Sequence, residues 1–594
     1  MPTDPRTAYT ERLEARRAAV ARHDQRHRTI GNLRLMVFLG AAVLAWLAWG
    51  REALSPFWLG LPAVVFVCLI VAHERVLRAR RVEARAVAHY ERALARLDGQ
   101  WVGHGETGER FLDHAHPYAA DLDLFGRGSL FELLSTARTR MGEDTLAQWL
   151  LAGGEPAVLR ARHEAINELR PMLDLREDLA VVGEDFRTGV HPAELAAWGE
   201  MPHLLESRRA RVIAFVIPCL VAGSAVLWAV RGWRDPFFAM LAAVAIFIAR
   251  YRREVARVVE AVEQPAHDLA LLAKVLARLE RERFTSRRLV AVRAALDIAG
   301  LPPSVRMAKL DRLIEMLDSR ENPFMRAVGP LMLWTGQLAF AIEAWRRVSG
   351  PAMRRWLDAV GEIEALCALA AYAFEHPTDV FPEFTSGEAG FDGEELAHPL
   401  IDQTRVVRNS VRLGGDLRVL IVSGSNMSGK STLLRTVGIN AVMAQAGAPV
   451  CARALRMSRL ALGASIRTLD SLQDGTSRFY AEITRLHQIM ELTAGPLPVL
   501  FLLDELLHGT NSHDRRIGAE AIVRGLVERG AMGLVTTHDL ALAQVVGALG
   551  RQAANVHFED QFENGRMTFD YRLHPGVVEK SNALELMRSV GLDV

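Results

Sequence analysis

The stretch Gly424-Ser425-Asn426-Met427-Ser428-Gly429-Lys430-Ser431-Thr432 decides the fold of the C-terminal part of this 594-residue chain. It has the pattern G-x-x-x-x-G-K-S between an apolar run at 419–422 and a helix-like segment at 432–446, which predicts a strand, a glycine-rich loop and a helix. Such a loop directs backbone N–H groups at phosphates. Lys430 would reach the β- and γ-phosphates of ATP, and the Ser431 hydroxyl would bind Mg²⁺. The flanking strand and helix disfavour the alternative of a chance match.

Two acidic residues follow a second predicted strand. The apolar run 499–503 ends in Asp504 and Glu505. Asp504 would hold Mg²⁺, and Glu505 would polarise the attacking water. Because unpaired charges are costly at the end of a buried strand, a functional pair is the favoured interpretation. A solvated strand end is the alternative.

A histidine follows a third predicted strand, since the run 534–537 leads into His538. A lone histidine is more often a surface or core residue. Its place directly after this strand favours a sensor of the γ-phosphate instead. Ligands of open α/β sheets bind at the carboxyl ends of the strands, and all three motifs are predicted at that edge.

The order of these motifs resembles the ABC-type ATPases and, within them, the MutS family. The matching features are Asn426-Met427 in the loop, 444–450 after the loop helix, 475–482 as the signature segment, Asp504-Glu505-Leu506 with Gly509-Thr510-Asn511, Thr536-Thr537-His538, His398-Pro399-Leu400 at the start of the domain, and 571–592 near the C-terminus. The resemblance is continuous over 395–594. It implies an α/β ABC-type P-loop ATPase domain that binds and hydrolyses ATP with Mg²⁺.

The resemblance also implies how such a site works. ATPases of this family act as head-to-head dimers with two composite sites, so Ser477 would reach the γ-phosphate bound to the partner subunit. The loop 509–514 would lie at the same interface, while Glu505 would orient or activate water and His538 would sense the phosphate. One departure is that 406–409 stand where the family often has an aromatic residue against adenine. Binding of mismatched or branched DNA is an expectation from the resemblance alone.

Residues 124–150 and 254–374 resemble the helical core and lever of the same family. Apolar residues at helical spacing, such as Leu130 and Leu134, support helices there. Without the resemblance, both stretches predict amphipathic helices packed into a core. Residues 1–110 leave no room for the family's mismatch-recognition domain, so we expect a variant that lacks it.

Hydrophobic segments form a second conspicuous feature of the chain. Those without any charged residue are 35–50, 53–72, 212–230 and 237–249. A membrane span needs about 20 apolar residues, so the second and third are long enough and the first is marginal. The fourth is short unless Gly232 and Trp233 extend it. With tryptophans near their ends, the segments predict two transmembrane helical hairpins.

Arginines crowd the outer flanks of both hairpins, for example at 75–81, 208–211 and 250–253. By the positive-inside rule, both termini and the ATPase domain would be cytoplasmic, in a multi-pass membrane protein. A cleavable signal peptide is not expected, because a polar stretch of roughly 30 residues precedes the first segment. The alternative is that these segments are buried helices of a large soluble core.

Composition narrows the function classes. Hydrophobic residues make up 50% of the chain, which is high for a soluble enzyme and low for a transporter, so an ABC exporter is disfavoured. The net charge of +1 gives no overall attraction to DNA. The cysteines have neither metal-binding nor disulfide spacing, which fits a reducing cytoplasm; they are Cys68, Cys219, Cys367 and Cys451.

These observations predict a multidomain chain. Its expected parts are a cytoplasmic N-terminal helix at 1–34, hairpins at 35–73 and 208–253, a MutS-like helical core at 74–207 and 254–376, a linker at 377–394 and the ATPase domain at 395–594. The expected function is a membrane-anchored, homodimeric MutS-like ATPase coupled to DNA. The alternative is a membrane-bound, ATP-driven conformational switch or scaffold that acts on a protein or lipid partner without DNA.

Overall fold

The structure, a computed structural model, describes residues 4–51, 54–186, 192–263, 266–297, 300–425, 427–466, 478–507, 511–538, 545–563 and 566–577. Within them, a long N-terminal helical region is followed by a C-terminal α/β sheet domain. This confirms the predicted fold class at that level of detail.

Helices build the N-terminal region. They are, in chain order, α1 (Pro5–Ala45), α2 (Gly60–Leu97), α3 (Leu130–Leu134), α4 (Arg140–Leu151), α5 (Pro156–Leu169), α6 (Leu173–Phe186), α7 (Pro192–Glu200), α8 (Arg208–Arg231), α9 (Asp235–Glu263), α10 (Ala266–Glu280), α11 (Arg287–Leu296), α12 (Pro303–Asp318), α13 (Pro323–Val328), α14 (Trp334–Ser349) and α15 (Met353–Glu375). A π-helical turn, Trp46–Gly50, extends α1, and a 3-10 turn, Pro56–Leu59, leads into α2.

Helices α1 and α2 pack side by side as an antiparallel hairpin. Ion pairs join their polar halves, since Arg16 lies 3.1 Å from Glu83 and Arg17 lies 2.7 Å from Glu91. The side chain of Asp4 caps the first turn of α1, and a proline at the first helical position suits that turn. The charged half of the hairpin is thereby held together, while its other half is apolar.

Three helical stretches in the described part of the chain have the length and composition to cross a membrane: Pro5–Gly50, Pro56–Leu97 and Arg208–Arg231. In the most apolar window of the first two, 0% of the residues are buried, and in the third 17% are buried. The structure therefore does not show them as core helices of this chain. Gly232 adopts a left-handed conformation that ends α8, so Gly232 and Trp233 do not extend α9. Helix α9 is not among the three, because its apolar run ends at 249 and Arg250, Arg252 and Arg253 follow.

The second hairpin, α8 with α9, packs against α14. The side-chain amide of Gln337 donates a hydrogen bond to the carbonyl oxygen of Ala214 at 3.0 Å. On the α9 side, the rings of Phe247 and Phe340 lie 6.5 Å apart. Helix α14 therefore connects this hairpin to the helical core.

Helix α15 is the centre of that core and is buried along almost its whole length. Glycines allow it to lie close to α4: a Cβ atom on Gly142 would come within 2.7 Å of the Cβ of Glu364, and one on Gly361 within 2.7 Å of the carbonyl oxygen of Met141. Any larger residue at either position would force the two helices apart.

The C-terminal domain combines two sheets with helices. Its strands are β1 (Glu383–Phe384), β2 (Gly390–Leu396), β3 (Asn409–Gly414), β4 (Val419–Ser423), β5 (Ala454–Met457), β6 (Ala461–Ser465), β7 (Val499–Leu503), β8 (Met532–Thr537), β9 (Ala553–Glu563) and β10 (Arg566–Pro575). Its helices are α16 (Lys430–Ala446), α17 (Arg478–Leu492), α18 (Ser512–Glu528) and α19 (Val545–Leu549).

The larger sheet has the order β10-β9-β4-β8-β7-β6, in which only the edge strand β10 pairs antiparallel. Strands β4, β7 and β8 are buried at every position, as expected for parallel strands covered on both faces. The smaller sheet has the order β1-β5-β2-β3. Strand β1 and the start of β2 lie within the expected linker 377–394, so part of that segment belongs to the sheet domain.

Polar contacts join the helical core to the sheet domain near both ends of α16. At its C-terminal end, Arg162 donates to the carbonyl oxygen of Ala446 at 2.8 Å, and the Gly154 N–H donates to that of Gln445 at 2.8 Å. Nearer its N-terminus, Arg435 forms an ion pair with a residue of the core, Asp123. The helix that follows the glycine-rich loop is therefore bound to the core at two positions along its length.

Candidate active site

Three neighbouring strands of the larger sheet end at the same edge. Strands β4 and β8 run parallel with Ser423 opposite Thr537, and β7 runs parallel to β8 with Leu503 opposite Val535. The residues that follow these strands must therefore lie close together. They are the glycine-rich loop, the Asp504-Glu505 pair and His538.

The loop after β4 turns sharply before α16 begins at Lys430. Gly424 and Gly429 have φ angles of 151° and 101°, which residues with a side chain rarely adopt. A Cβ atom on Gly424 would lie only 2.8 Å from the hydroxyl oxygen of Ser428. Met427 is also left-handed, with φ of 71°, and its side chain is 84% exposed. The predicted site residue Asn426 lies outside the described residues.

Lys430 is almost fully buried, with 5% of its surface exposed. Its Nζ donates hydrogen bonds to the carbonyl oxygens of Gly424 at 2.9 Å and Ser425 at 2.8 Å. Burial lowers the pKa of Lys430, and the carboxylates of Glu505 and Asp504 oppose that change. The ammonium group is therefore held across the loop, where phosphate oxygens could replace the two carbonyls as its partners.

The residues after β7 are fixed by hydrogen bonds to the neighbouring strands. The hydroxyl of Thr536 donates to the Asp504 carboxylate and accepts from the Glu505 N–H at 3.0 Å. The Asp504 N–H donates to the carbonyl oxygen of Ser465 at 2.9 Å. Glu505 has a φ of 47°, an uncommon value for a residue with a side chain that is often found at functional sites.

Glu505 lies between a lysine and a histidine. Its Oε1 is 3.8 Å from Nζ of Lys430 and 3.5 Å from Nδ1 of His538. The structure thus brings together all three residues that the sequence predicts as catalytic. The Asp504 carboxylate follows the same strand and lines the same cavity as Ser431, its predicted partner for Mg²⁺.

The cavity at this edge has a volume of about 650 Å³, within the usual range for a small-molecule site. Lys430, Ser431 and Thr432 form one wall, and Asp504 and Glu505 form another. The chain also offers unused donors, because the hydroxyls of two loop residues are buried without a hydrogen-bond partner among the described residues; these are Ser425 and Ser428. The size of the cavity, its charged side chains and its unpaired donors all fit a Mg²⁺-bound nucleoside triphosphate.

Tyr571 is a site residue that sequence reasoning missed. A Cβ atom on Gly429 would lie 3.2 Å from Cδ1 of Tyr571, so the ring lies against the loop. The side-chain amide of Asn409 donates to the carbonyl oxygen of Tyr571 at 2.9 Å and accepts from the Leu573 N–H at 2.8 Å. An adenine contact was expected at 406–409 from the sequence, but no aromatic residue stands there. The structure places an aromatic ring from β10 in that cavity instead.

The expected trans elements are only partly described. Ser477 lies outside the described residues, as do Gly509 and Thr510 of the following loop. Asn511 is described, and its side chain caps α18 by accepting from the Asp514 N–H at 2.9 Å.

Glu482, the last residue of the predicted signature segment, is buried and accepts from the Leu507 N–H at 2.6 Å. Helix α17 is therefore bound to the turn that follows Glu505. The role of Glu482 in this contact was not predicted.

The fold and this edge define a class of protein domain. It is an α/β domain with a glycine-rich loop between a buried strand and a helix, a buried lysine at the start of that helix, and carboxylates at a neighbouring strand end.

Comparison with known proteins identifies the family of the C-terminal domain. The family model for MutS domain V matches residues 420–593, so this part of the chain is a MutS-type domain, which confirms the resemblance to the MutS family seen in the sequence. The chain is 33% identical over 252 residues to "Endonuclease MutS2" of Anaeromyxobacter sp., covering 40% of this chain and 30% of that protein. It is 38% identical over 197 residues to "Endonuclease MutS2" of Thermus thermophilus, covering 33% and 25%.

A third relative is "DNA mismatch repair protein MutS 2" of Halobacterium salinarum, which is 32% identical over 287 residues, covering 46% of this chain and 32% of that protein. The chain therefore spans about a third or less of the length of these relatives. MutS-family proteins are ATPases that use ATP with Mg²⁺.

Proposed function

We propose that the chain is a membrane-anchored MutS-family ATPase in which residues 424–432, Asp504, Glu505 and His538 bind and hydrolyse ATP. The observation that carries the proposal is the convergence of Lys430 and His538 on the Glu505 carboxylate, beside the glycine-rich loop. ATP hydrolysis by the family supports the reaction class.

Each residue has a separate role in this proposal. Lys430 and the unpaired hydroxyls of Ser425 and Ser428 bind phosphate oxygens. Ser431 and Asp504 hold Mg²⁺, which supplies charge neutralisation at the phosphates when bound. Glu505 orients the attacking water and accepts its proton, and His538 contacts the γ-phosphate. The Tyr571 ring forms the wall for the adenine base.

A homodimer would complete the site. The loop 509–514 and Ser477 would face the partner subunit, as the family resemblance implies. MutS-family proteins in general act as dimers on DNA.

Membrane anchoring is supported by the surfaces of the hairpins. The apolar windows of α1, α2 and α8 are largely uncovered in the structure, and side chains such as Leu61 of α2, which is 64% exposed, lie on them. The first hairpin contacts the helical core through its charged end: Arg96 of α2 lies 2.5 Å from Glu375 of α15, and Arg12 of α1 lies 2.6 Å from Asp174. The charged ends would therefore be cytoplasmic, with the tight links across the bilayer.

ATP hydrolysis has two candidate partners, DNA on the one hand and a protein or lipid on the other. Two of the named relatives are an endonuclease and a DNA mismatch repair protein, which favours DNA as the partner. The uncovered apolar hairpins and the net charge of +1 favour the second candidate, a membrane-bound switch or scaffold acting on protein or lipid.

ATP hydrolysis in lipid nanodiscs decides between them. Turnover is measured without DNA and with linear, mismatched and branched DNA, each at two salt concentrations. Stimulation that weakens with salt supports DNA coupling, whereas turnover that no DNA changes supports the switch. The Lys430→Ala variant is the control, and ATP turnover that persists in this variant would refute the assigned site.

A further inference from the structure

A cleft lies between α8 and α14 at the charged end of the second hairpin. It has a volume of about 580 Å³. Arg208, Arg211 and Phe215 of α8 form one wall, and Met316 and Trp334 stand opposite. The cleft therefore opens where the arginine-rich end of α8 meets its uncharged stretch.

The charged side chains that line the cleft are all positive. Both arginines are exposed, and within the described part of the chain their side chains form no hydrogen bond or ion pair. The lining contains no acidic residue. Two unpaired guanidinium groups beside each other are suited to binding a phosphate.

The apolar wall continues from the charged one along the same helix. Phe215 lies one turn beyond Arg211 and is 66% exposed. From residue 208 to residue 216 the helix rises about 12 Å, and its side chains change from cationic to apolar over that length. This order matches a phospholipid, whose phosphate lies at the membrane surface and whose acyl chains extend inward.

Hydrogen bonds hold the two walls in place. The indole N–H of Trp334 donates to the carbonyl oxygen of Met316 at 3.0 Å. Gln337 donates to the carbonyl oxygen of Ala214 on α8 at 3.0 Å. These hydrogen bonds fix the two walls relative to each other, which limits the entropy lost on binding.

A second cavity, of about 590 Å³, lies on the other side of Trp334 against α9. Arg252 and Arg326 line it, but so does Glu260. Its mixed charge makes it a weaker site for an anion than the cleft at α8.

We propose that the cleft between α8 and α14 binds one anionic phospholipid of the cytoplasmic leaflet. Arg208 and Arg211 contact the headgroup phosphate, and an acyl chain lies along Phe215. This inference rests on the membrane insertion of α8 in the proposed function.

Native mass spectrometry of the full-length protein in detergent tests the cleft, with phosphatidylglycerol and phosphatidylcholine as the probes. Two double variants remove the same charge: Arg208→Gln with Arg211→Gln in the cleft, and Arg347→Gln with Arg355→Gln as the matched control, both exposed in the described structure. We expect the wild type and the control to bind phosphatidylglycerol in preference to phosphatidylcholine. The cleft variant should bind phosphatidylglycerol roughly 30-fold more weakly, the loss expected from two arginine–headgroup attractions.

Alkaline carbonate extraction of membranes, run in parallel, distinguishes a failure of the membrane anchor from a failure of the lipid-binding cleft. A protein that resists extraction but has no preference for phosphatidylglycerol, or loses it equally in both double variants, would overturn the cleft and leave the anchor standing. A protein that carbonate extracts would overturn the anchor and the cleft together. Circular dichroism and gel filtration confirm that the variants fold.

Discussion

At the residue scale, the proposed hydrolysis depends most on Glu505. We expect Glu505→Gln to bind ATP but to hydrolyse it about 10²–10⁴-fold more slowly, because the amide keeps the size of the side chain and cannot accept the proton. Phosphate release measures turnover, and a fluorescent ATP analogue measures binding. Glu388→Gln, at an exposed position of the same domain, is the control. Normal turnover in Glu505→Gln would show that the assigned role is wrong.

Tyr571 gives a second prediction at this scale. Tyr571→Ala should weaken ATP binding about tenfold, because base–aromatic stacking contributes roughly 1–3 kcal/mol. Tyr571→Phe keeps the ring and should bind ATP like the wild type. Equilibrium binding of ATP to the catalytically slow Glu505→Gln background measures both. Equal affinity for the Ala and Phe variants would remove Tyr571 from the site.

The sequence alone predicts those site residues that belong to contiguous motifs. Lys430, Glu505 and His538 each follow a recognisable strand, and parallel pairing brings such strand ends together. Tyr571 could not be found this way, because its position depends on the pairing of β10 with β9 and on an irregularity in that pairing between Phe569 and Leu573. No local pattern in the sequence encodes this long-range placement.

At the scale of elements, Glu364 joins α15 to the start of α4. Its carboxylate accepts hydrogen bonds from the Thr139 N–H at 3.1 Å and from the Thr139 hydroxyl. Burial raises the pKa of Glu364 to about 7, although the bonds from Thr139 lower it. Below about pH 7 the protonated form of this carboxyl group therefore predominates.

The raised pKa predicts how stability depends on pH. The folded protein retains the proton on Glu364 up to about pH 7, whereas the unfolded chain loses it near pH 4.5. The free energy of unfolding should therefore fall by about 3 kcal/mol as the pH rises between these values, and change no further above them. In Glu364→Gln this contribution disappears.

Thermal melting of the wild type and of Glu364→Gln at pH 5 and pH 8 measures the difference. We expect the melting temperature of the variant, relative to that of the wild type, to be higher at pH 8 than at pH 5. Glu388→Gln should follow the wild type at both values. A gap that does not change with pH would contradict a raised pKa at this joint.

Elements were predictable where their sequence has a strong period or a continuous apolar run. Strands β4, β7 and β8 are such runs because they are buried on both faces. Strand β2 was not predicted, and most of it was assigned to the linker. Its sequence, Gly390–Leu396, is rich in glycine and acidic residues and has few strand-forming residues. Pairing with β3 and β5, and not local propensity, makes it a strand.

At the scale of the whole molecule, the orientation of the hairpins can be tested by cysteine labelling. Arg234→Cys, in the link between α8 and α9, should react with a membrane-impermeant maleimide from outside intact cells. Arg347→Cys, on α14, should react only after the membrane is permeabilised. Background from the native cysteines is measured in the unmodified chain. Labelling of both positions only after permeabilisation would contradict the predicted topology.

Hydropathy predicted where apolar surface lies but not where helices end. The expected boundary at residue 34 falls inside α1, which continues from Pro5 to Ala45. The change from charged to apolar residues does not break a helix, and no proline interrupts this stretch of sequence. The polar half of α1 instead remains helical through its pairing with α2.

The pairing of α1 with α2 also sets the distance between one end of the helical core and the membrane surface. Residues 5–34 of α1 rise about 45 Å, and the start of this rod is bound to the core, since Tyr9 donates a hydrogen bond to Glu375 at 3.2 Å. With the apolar half in a bilayer, that end of the core stands several screening lengths from the lipid, because electrostatic interactions fade over about 8 Å at physiological ionic strength. A polyanion such as DNA could approach there without repulsion from acidic headgroups.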